Sequence, residues 1–252
     1  MLDRTKTRRL ADLLLAAREA RRPLLEPIPD LVPLDAAEAD AVQFACADAL
    51  GPIGGWKVLQ VGDRDGSFGF VPAARRYEAP VAVSEARARL KIELEIAFVV
   101  GRDLTGRPDG APYSTEEVLA AIGGAFAAFE ILESRLPAGS PPLAARADAM
   151  SNWGLVTGPV EADWRGRVHA EVVTELTISG RIAASTVGGH PTGDPAHALP
   201  WLANALLAAG RPLRAGQVVT TGSFGGSHPI EPGDTVTGRI DGFAPIVFRL
   251  DP

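Results

Sequence analysis

Two acidic side chains on one short segment are the first candidates for chemistry. Between Leu90 and Val100 charged and apolar residues alternate, with Lys91, Glu93 and Glu95 at every second position. A period of two is typical of a β-strand, so the two glutamates share one face. Like charges on one face repel each other, and a cation between them would relieve that repulsion. The alternative is a solvent-exposed strand face whose charges point to water.

A third acidic side chain, Glu130, stands in the apolar stretch Ala127–Leu132. The spacing of apolar residues predicts a helix that begins after Ser114 and extends to about Arg135. An acid inside an apolar helical stretch costs free energy unless it is paired, although a glutamate on the helix surface is the alternative. A strand and a helix that present three carboxylates to one point would hold a hard cation such as Mg²⁺, Mn²⁺ or Ca²⁺.

Zinc is a poor candidate for the same site, because the chain lacks clusters of its usual ligands. The single cysteine, Cys46, lies in an apolar stretch typical of a buried structural thiol, and it rules out an internal disulfide framework. The histidines occur late in the chain without ligand spacing, at His169, His190, His197 and His228.

The elements that must position these side chains predict an α+β protein with a mostly antiparallel or mixed sheet after residue 90. The first 52 residues are predicted to be helical, with one helix over about 4–22 and a second from the N-cap Asp35 to about Leu50. Residues 62–76 and 137–142 are predicted to be irregular. Further strands are expected near residues 56–59, 155–157, 172–178, 182–187, 217–221, 235–240 and 246–250, and a helix over about 196–209.

Composition excludes some classes of function. The chain has 252 residues and a formal net charge of −6, which argues against a nucleic-acid binder. No segment approaches the roughly 20 consecutive apolar residues of a membrane span, and the N-terminus lacks the apolar core of a secretory signal. A cytoplasmic enzyme is therefore the expectation.

Motifs along nearly the whole chain, from about residue 8 to the end, resemble those of a known family. The most specific pairing is a Glu-x-Glu strand followed by a Glu-x-x-x-Ser-Arg segment. The matching segments are Gly55–Val58, Lys91–Phe98, Phe129–Arg135, Asp148 with Ser151, Gly193–Pro195, Trp201–Ala203, Leu213–Gly216, Thr221–Ser223 and Gly233 with Asp234. They resemble the 2-oxopent-4-enoate hydratase and 4-oxalocrotonate decarboxylase group of the fumarylacetoacetate hydrolase superfamily.

The resemblance implies that Glu93, Glu95 and Glu130 bind Mg²⁺ or Mn²⁺. A small 2-oxo acid or dienol substrate would chelate that ion, which stabilises enolate charge. It also implies that Lys57, whose pKa a nearby cation would lower, contacts substrate or moves a proton. A surface lysine at a strand end is the alternative. Further catalytic residues implied are Glu133 and Asp148, and the substrate-binding residues implied are Phe68, Ser134, Arg135, Thr221 and Ser223.

The same resemblance implies a fold and an assembly. The expected fold is a mixed β-sheet roll or barrel, with a small N-terminal helical region over residues 1–52 and a catalytic domain over residues 53–252. The family also implies a homo-oligomer. Thr221 and Ser223 are expected to donate hydrogen bonds to the substrate carboxylate, with a merely polar strand end as the alternative.

The chain departs from the family pattern at three positions. Ser67 precedes Phe68 and Gly69 where an Asp-Phe-Gly segment is usual, Ala149 follows Asp148 where an asparagine is usual, and Glu133 replaces an aspartate. These changes leave the metal ligands in place and leave the reaction type open.

Several activities suit the retained residues. A hydratase of a 2-hydroxy-2,4-dienoate in aromatic-compound catabolism is the leading hypothesis, and a 2-oxo acid decarboxylase is the alternative. The carbon–carbon hydrolases of the superfamily use a His/Glu pair before the Glu-x-Glu strand, and here no histidine precedes His169. A divergent member that only binds a small 2-oxo acid is the non-catalytic alternative.

Overall fold

The computed structural model describes residues 4–62, 65–84, 90–168 and 170–252, so His169 lies outside the described residues. The α-helices of these ranges are α1 (Arg4–Glu19), α2 (Ala36–Leu50), α3 (Thr115–Ala120), α4 (Pro142–Ala147) and α5 (Leu199–Ala208). The strands are β1 (Ile53–Leu59), β2 (Ser67–Pro72), β3 (Arg76–Glu78), β4 (Val81–Ser84), β5 (Leu90–Val100), β6 (Ile122–Leu132), β7 (Asn152–Thr157), β8 (Val173–Ile178), β9 (Arg181–Val187), β10 (Val218–Ser223), β11 (His228–Ile230), β12 (Thr235–Ile240) and β13 (Ile246–Asp251).

These strands form two mixed sheets, which confirms the predicted α+β class. The larger sheet has the order β2-β1-β10-β5-β6-β7-β3, and β11 also pairs with β5. The smaller sheet has the order β4-β13-β12-β8-β9. The prediction allowed either a roll or a barrel. Within the described residues neither sheet closes into a barrel, so the structure agrees with the roll.

The centre of the larger sheet is a long antiparallel pair, β5 with β6. Its register places Lys91 opposite Leu132 and Glu93 opposite Glu130. Strand β10 flanks β5 on one side, and β7 flanks β6 on the other. The sheet therefore carries side chains from five neighbouring strands, β1, β10, β5, β6 and β7, to one region.

The helix predicted around Glu130 is wrong, because α3 ends at Ala120 and residues Ile122–Leu132 form β6. Every residue from Ala125 to Ile131 is buried. A central strand covered on both faces has a continuous apolar sequence, which periodicity cannot distinguish from a buried helix.

Two predicted irregular segments also contain regular structure. Residues 67–72 form β2, an antiparallel partner of β1, and a short helix, α4, begins at Pro142. Both are short elements that pack on neighbours, and neither shows a clear repeat in its sequence.

The predicted N-terminal helical region is present as two packed helices. Leu10 and Leu14 of α1 are buried, and Asp35 caps α2 by accepting a hydrogen bond from the Glu38 amide at 2.8 Å. The strands predicted over residues 172–178 and 182–187 form the antiparallel pair β8 and β9. Among the described helices, none has the length and apolar character needed to cross a membrane.

Candidate metal centre

Three predicted acidic side chains meet on one face of the β5–β6 pair. Each of Glu93, Glu95 and Glu130 contributes a carboxylate oxygen, and these oxygens lie within 4.8 Å of one another. Glu95 and Glu130 are only 1% and 0% exposed. Like charges directly opposite each other on paired strands are destabilising, so this group calls for a positive charge. We call these three residues together with Lys57 the carboxylate centre.

The carboxylate of Glu130 has one satisfied oxygen and one unsatisfied oxygen. Its Oε1 accepts hydrogen bonds from Lys57 Nζ at 2.7 Å and Asn152 Nδ2 at 2.8 Å. Its Oε2 is buried, and no donor within the described part of the chain reaches it. Leaving a buried carboxylate oxygen without a partner costs free energy, so Oε2 fits the position of a metal ligand.

Glu95 is fixed by the backbone of the neighbouring strand. Its Oε2 accepts a hydrogen bond from the amide of Gly222 at 2.9 Å. Burial, and then the nearby Glu130 and Glu93, raises the pKa of Glu95 to about 8. Burial and Glu130 also raise the pKa of Glu93. A divalent cation favours the ionised form of each carboxylate, so the donor set fits a hard metal ion.

Lys57 is the one cation found among the residues of this centre. It lies on β1, is buried, and donates a second hydrogen bond to the carbonyl of Met150 at 3.1 Å. Burial lowers the pKa of Lys57, but the carboxylates of Glu130 and Glu93 outweigh burial and raise it. The lowered pKa predicted for Lys57 beside a cation depends on neutralisation of those carboxylates and stays a prediction.

A left-handed turn carries the carbonyl that Lys57 contacts. Ala149, Met150 and Ser151 have φ values of 49°, 51° and 64°. For residues other than glycine this conformation costs of order 1–3 kcal/mol each, so surrounding contacts must hold the turn. One contact is with β2, where a Cβ on Gly69 would lie 2.4 Å from the carbonyl oxygen of Ala149. Gly69 therefore lets this turn approach the sheet.

Two predicted site residues, Arg135 and Asp148, are paired with each other. Arg135 is 2% exposed, and its Nε donates to Asp148 Oδ1 at 2.6 Å while its amide donates to Oδ2 at 2.9 Å. Its guanidinium also donates to the carbonyls of Glu133, Asn152 and Asp148. With Arg18, these two residues form what we call the arginine cluster. Its bonds support the backbone of the turn, and the substrate and catalytic roles predicted for Arg135 and Asp148 stay predictions.

The other predicted substrate residues occupy different settings. Phe68 is 1% exposed and packs edge-on to Trp56, with ring centroids 5.9 Å apart. Thr221 is 0% exposed, and its hydroxyl donates to the carbonyl of Ile96 at 3.3 Å. The Ser223 hydroxyl donates to the carbonyl of Gly226 at 3.0 Å. Each of these side chains has a partner within the protein, and the substrate contacts predicted for them stay predictions.

Two open clefts flank the left-handed turn. One, of about 1050 Å³, lies at the end of the β5–β6 pair and is lined by Lys91, Glu133, Ser134 and Ser151 among others. The other, of about 450 Å³, is lined by Ser67, Met150 and Ser151 among others. Glu133 and Ser134 therefore lie where a molecule in the larger cleft would contact them.

One residue of the larger cleft, Lys91, lies on the strand that carries two of the carboxylates. Lys91 shares a strand face with Glu93, two residues further along β5. Burial increases along that face, from exposed Lys91 through partly exposed Glu93 to fully buried Glu95. Exposure on this strand face therefore decreases from Lys91, which lines the cleft, to Glu95.

Sequence reasoning missed Asn152, the first residue of β7. Its side chain is 0% exposed and orients Glu130 through the amide hydrogen bond described above. The available signal was an amide directly after the segment from Asp148 to Ser151 that resembles the family pattern. The sequence alone offers no indication that the chain turns left-handed there, so the proximity of Asn152 to Glu130 could not be inferred.

Comparisons with known proteins place this geometry in context. The sequence matches the family described as "Fumarylacetoacetate (FAA) hydrolase C-terminal" over residues 64–251. It is 34% identical over 179 residues to a 2-hydroxyhexa-2,4-dienoate hydratase of Comamonas testosteroni, covering 69% of this chain and 66% of that relative. It is also 34% identical over 194 residues to the TodF product hydratase of Pseudomonas putida, covering 75% of this chain and 69% of that relative.

A solved structure extends the likeness to nearly the whole fold. The 4-oxalocrotonate decarboxylase from Pseudomonas putida G7, complexed with magnesium and adipate, superimposes with a TM-score of 0.85 at 24% identity, covering 99% of both chains. The sequence matches to the two hydratases span about two thirds of their lengths, 66% and 69%. The three carboxylates lie inside the family match, whereas Lys57 precedes it.

Proposed function

As this chain belongs to the fumarylacetoacetate hydrolase family, we propose that it is a divalent-metal-dependent hydro-lyase that adds water to a 2-hydroxy-2,4-dienoate. The observation that carries the proposal is the carboxylate centre. Three carboxylates converge within 4.8 Å, and Lys57 Nζ lies 2.7 Å from one of them. The names of the two hydratase relatives support the reaction class.

The residues that would hold the metal are Glu93, Glu95 and Glu130. All three offer oxygen, which suits Mg²⁺ or Mn²⁺, and Glu130 Oε2 has no donor in the described structure. A bound divalent ion supplies Lewis-acid stabilisation of the negative charge on a 2-oxo acid as it enolises. Magnesium in the decarboxylase of similar fold supports the choice of a hard cation.

Lys57 is the residue that we propose moves protons. Its ammonium is held by Glu130 and by the Met150 carbonyl, so its position beside the substrate is fixed before binding. If a bound divalent ion offsets the three carboxylates, they no longer outweigh burial, which lowers the pKa of Lys57. A lysine whose pKa is lowered in this way can give a proton to a substrate carbon as the dienol loses its hydroxyl proton and ketonises, and it can later accept a proton from water.

The substrate that we propose enters through the larger cleft. Ser134 and Ser151 offer hydroxyl groups along its wall, and Lys91 stands near the exposed end of the carboxylate face. A small acid with one end toward Glu93 and the rest along this wall would satisfy both the charge and the shape. Glu133, which is 9% exposed, lines the same cleft and is our second candidate for acid–base work.

The direct test is turnover of a 2-hydroxy-2,4-dienoate with the product identified by mass. We expect gain of water, dependence on Mg²⁺ or Mn²⁺, and a fall of at least ~100-fold in kcat for Lys57→Ala, the usual scale for an acid–base group. Lys6→Ala is the matched control, since Lys6 lies on α1 and bonds to the Val32 carbonyl.

The product distinguishes the reactions open to this fold. Loss of carbon dioxide in place of gain of water would assign the decarboxylase reaction and contradict the hydratase proposal. Full activity of Lys57→Ala would contradict the role of Lys57 in either reaction. The family resemblance also favours a homo-oligomer, which sedimentation of the purified chain would test.

A further inference from the structure

The N-terminal helix reaches the backbone that supports the carboxylate centre. Helix α1 packs through Leu10, Ala11 and Leu14, which are at most 3% exposed. In its last turn, Arg18 extends a guanidinium whose Nη2 donates a hydrogen bond to the carbonyl of Asn152 at 3.0 Å. The helix is thus joined to the first residue of β7, 134 residues later in the sequence.

The same carbonyl receives a second guanidinium. Arg135 donates to the Asn152 oxygen at 2.9 Å while it is paired with Asp148. The chain just after α1 adds a further contact, because the amide of Leu24 donates to the carbonyl of Arg135 at 2.9 Å. The N-terminal region therefore forms hydrogen bonds with the backbone of both Asn152 and Arg135.

Fixing the backbone of Asn152 also fixes its side chain. The side-chain amide donates to Glu130 Oε1 at 2.8 Å, the oxygen that Lys57 also contacts. Asn152 directly follows the left-handed turn, whose strained conformation would relax if its flanking contacts were lost. A shift of Asn152 would therefore move a hydrogen-bond donor of a carboxylate ligand and leave Glu130 less well oriented.

We propose that Arg18 is a positioning residue for the carboxylate centre, acting through Asn152 on Glu130. The N-terminal helical region precedes the family match over residues 64–251, and through Arg18 it then helps to orient a residue of the carboxylate centre. The proposal rests on the proposed function only in taking Glu130 as a metal ligand.

The electrostatic setting of Arg18 is consistent with such a role. Burial, and then the nearby Arg135, lowers the pKa of Arg18 to about 9, while Asp148 opposes the change. Holding two guanidiniums beside one carboxylate is costly, and the shared Asn152 carbonyl is a contact that offsets part of that cost. The other arginines of α1 include Arg8, which is exposed and pairs with Asp12 at 3.3 Å on the helix surface.

The test is direct Mn²⁺ binding by electron paramagnetic resonance, which needs no substrate. Residues that orient metal ligands typically change metal affinity by about 10–100-fold, and we expect Arg18→Gln to weaken Mn²⁺ binding about 10-fold. Arg8→Gln should bind Mn²⁺ as the wild-type chain does. Arg18→Lys keeps a donor on the same helix and should recover part of the affinity, which also keeps the claim testable if Arg18→Gln folds poorly.

A double-mutant cycle separates positioning from general stabilisation. If Arg18 acts through Asn152, then Arg18→Gln should have little further effect on Mn²⁺ affinity in an Asn152→Ala background. Additive losses in the double variant, or an Arg18→Gln variant with wild-type affinity, would overturn the positioning role. A wild-type chain that binds no Mn²⁺ would instead overturn the metal centre itself, and the positioning role with it.

Discussion

The carboxylate centre and the arginine cluster are both buried and charged, yet they are satisfied in opposite ways. The first places three carboxylates against one lysine, and Glu130 Oε2 has no donor within the described residues. The arginine cluster places two guanidiniums near the carboxylate of Asp148, and both guanidiniums also donate hydrogen bonds to backbone carbonyls. Asn152 forms hydrogen bonds with both groups.

This difference indicates that the carboxylate centre is the candidate site and that the arginine cluster supports it. Groups within the chain accept the hydrogen bonds of the arginine cluster. The cluster therefore holds the left-handed turn and β7 in place. The described residues of the carboxylate centre carry an excess of negative charge, which a retained proton or a bound cation would balance. Removing a charge should therefore have opposite effects on stability in the two groups.

The largest stability effect is expected in the arginine cluster. Asp148→Asn would remove the carboxylate that is paired with the buried Arg135, and breaking a buried ion pair in this way typically costs about 3–5 kcal/mol in the free energy of unfolding. Urea unfolding would measure the loss. Asp48→Asn is the control, because Asp48 pairs with Arg211 at 2.7 Å on the surface and its loss should cost less than ~1 kcal/mol. Equal losses would remove the distinction between the groups.

In the carboxylate centre, a charge removal should cost activity and not stability. Glu93→Gln removes one of two like charges that face each other across β5 and β6, so the metal-free variant should be at least as stable as the wild type. Its turnover should fall about 100-fold, since one ligand of the Lewis acid is weakened. Urea unfolding and a dienoate assay give the two values, and a Glu93→Gln variant that is markedly less stable would contradict the comparison.

Gly69→Ala should act on the turn that lies between the two groups. The added Cβ would lie 2.4 Å from the backbone oxygen of Ala149, so the turn or β2 must shift, at about 1–3 kcal/mol. Turnover should fall as well, because Met150 of this turn holds Lys57. Gly166→Ala is the control, since a Cβ there would have no atom within 4 Å. Unchanged activity in Gly69→Ala would show that the turn does not position Lys57.

The last expected effect is a pH dependence of the stability of the metal-free chain. Folding raises the pKa of Glu95 from 4.5 to about 8, so between these values the folded state retains a proton that the unfolded state has lost. Stability should therefore fall as the pH rises from about 5 to about 8. Glu95→Gln should flatten this slope in urea unfolding measured across the range. A slope of the opposite sign, or one unchanged in Glu95→Gln, would contradict the raised pKa.

The alternating charges of β5 were sufficient to predict a strand with Glu93 and Glu95 on one face, because period two reports local geometry directly. Glu130 was recognised as a candidate ligand but placed on a helix, since β6 is buried on both faces and its sequence has no strand period. The structure still brings the three carboxylates together, because strand register, and not element type, sets their distance.

The supporting contacts were not predictable from sequence in the same way. Arg135 and Asp148 carry functional residue types, and nothing in the sequence shows that they bind each other. Their pairing, the left-handed turn and the reach of Arg18 from α1 depend on contacts between distant segments. The fold, and not the sequence, therefore distinguishes the candidate metal ligands from the residues that hydrogen-bond to the backbone.

The central claim, that Glu93, Glu95 and Glu130 hold one divalent ion, is tested most directly by titrating the purified chain with Mn²⁺. We expect one Mn²⁺ per chain, with protons released on binding near neutral pH because the pKa of Glu95 is raised in the metal-free site. In Glu130→Gln, whose buried oxygen is the unsatisfied ligand, this binding should be lost. A Glu130→Gln variant that binds Mn²⁺ with the stoichiometry and affinity of the wild type would contradict the account.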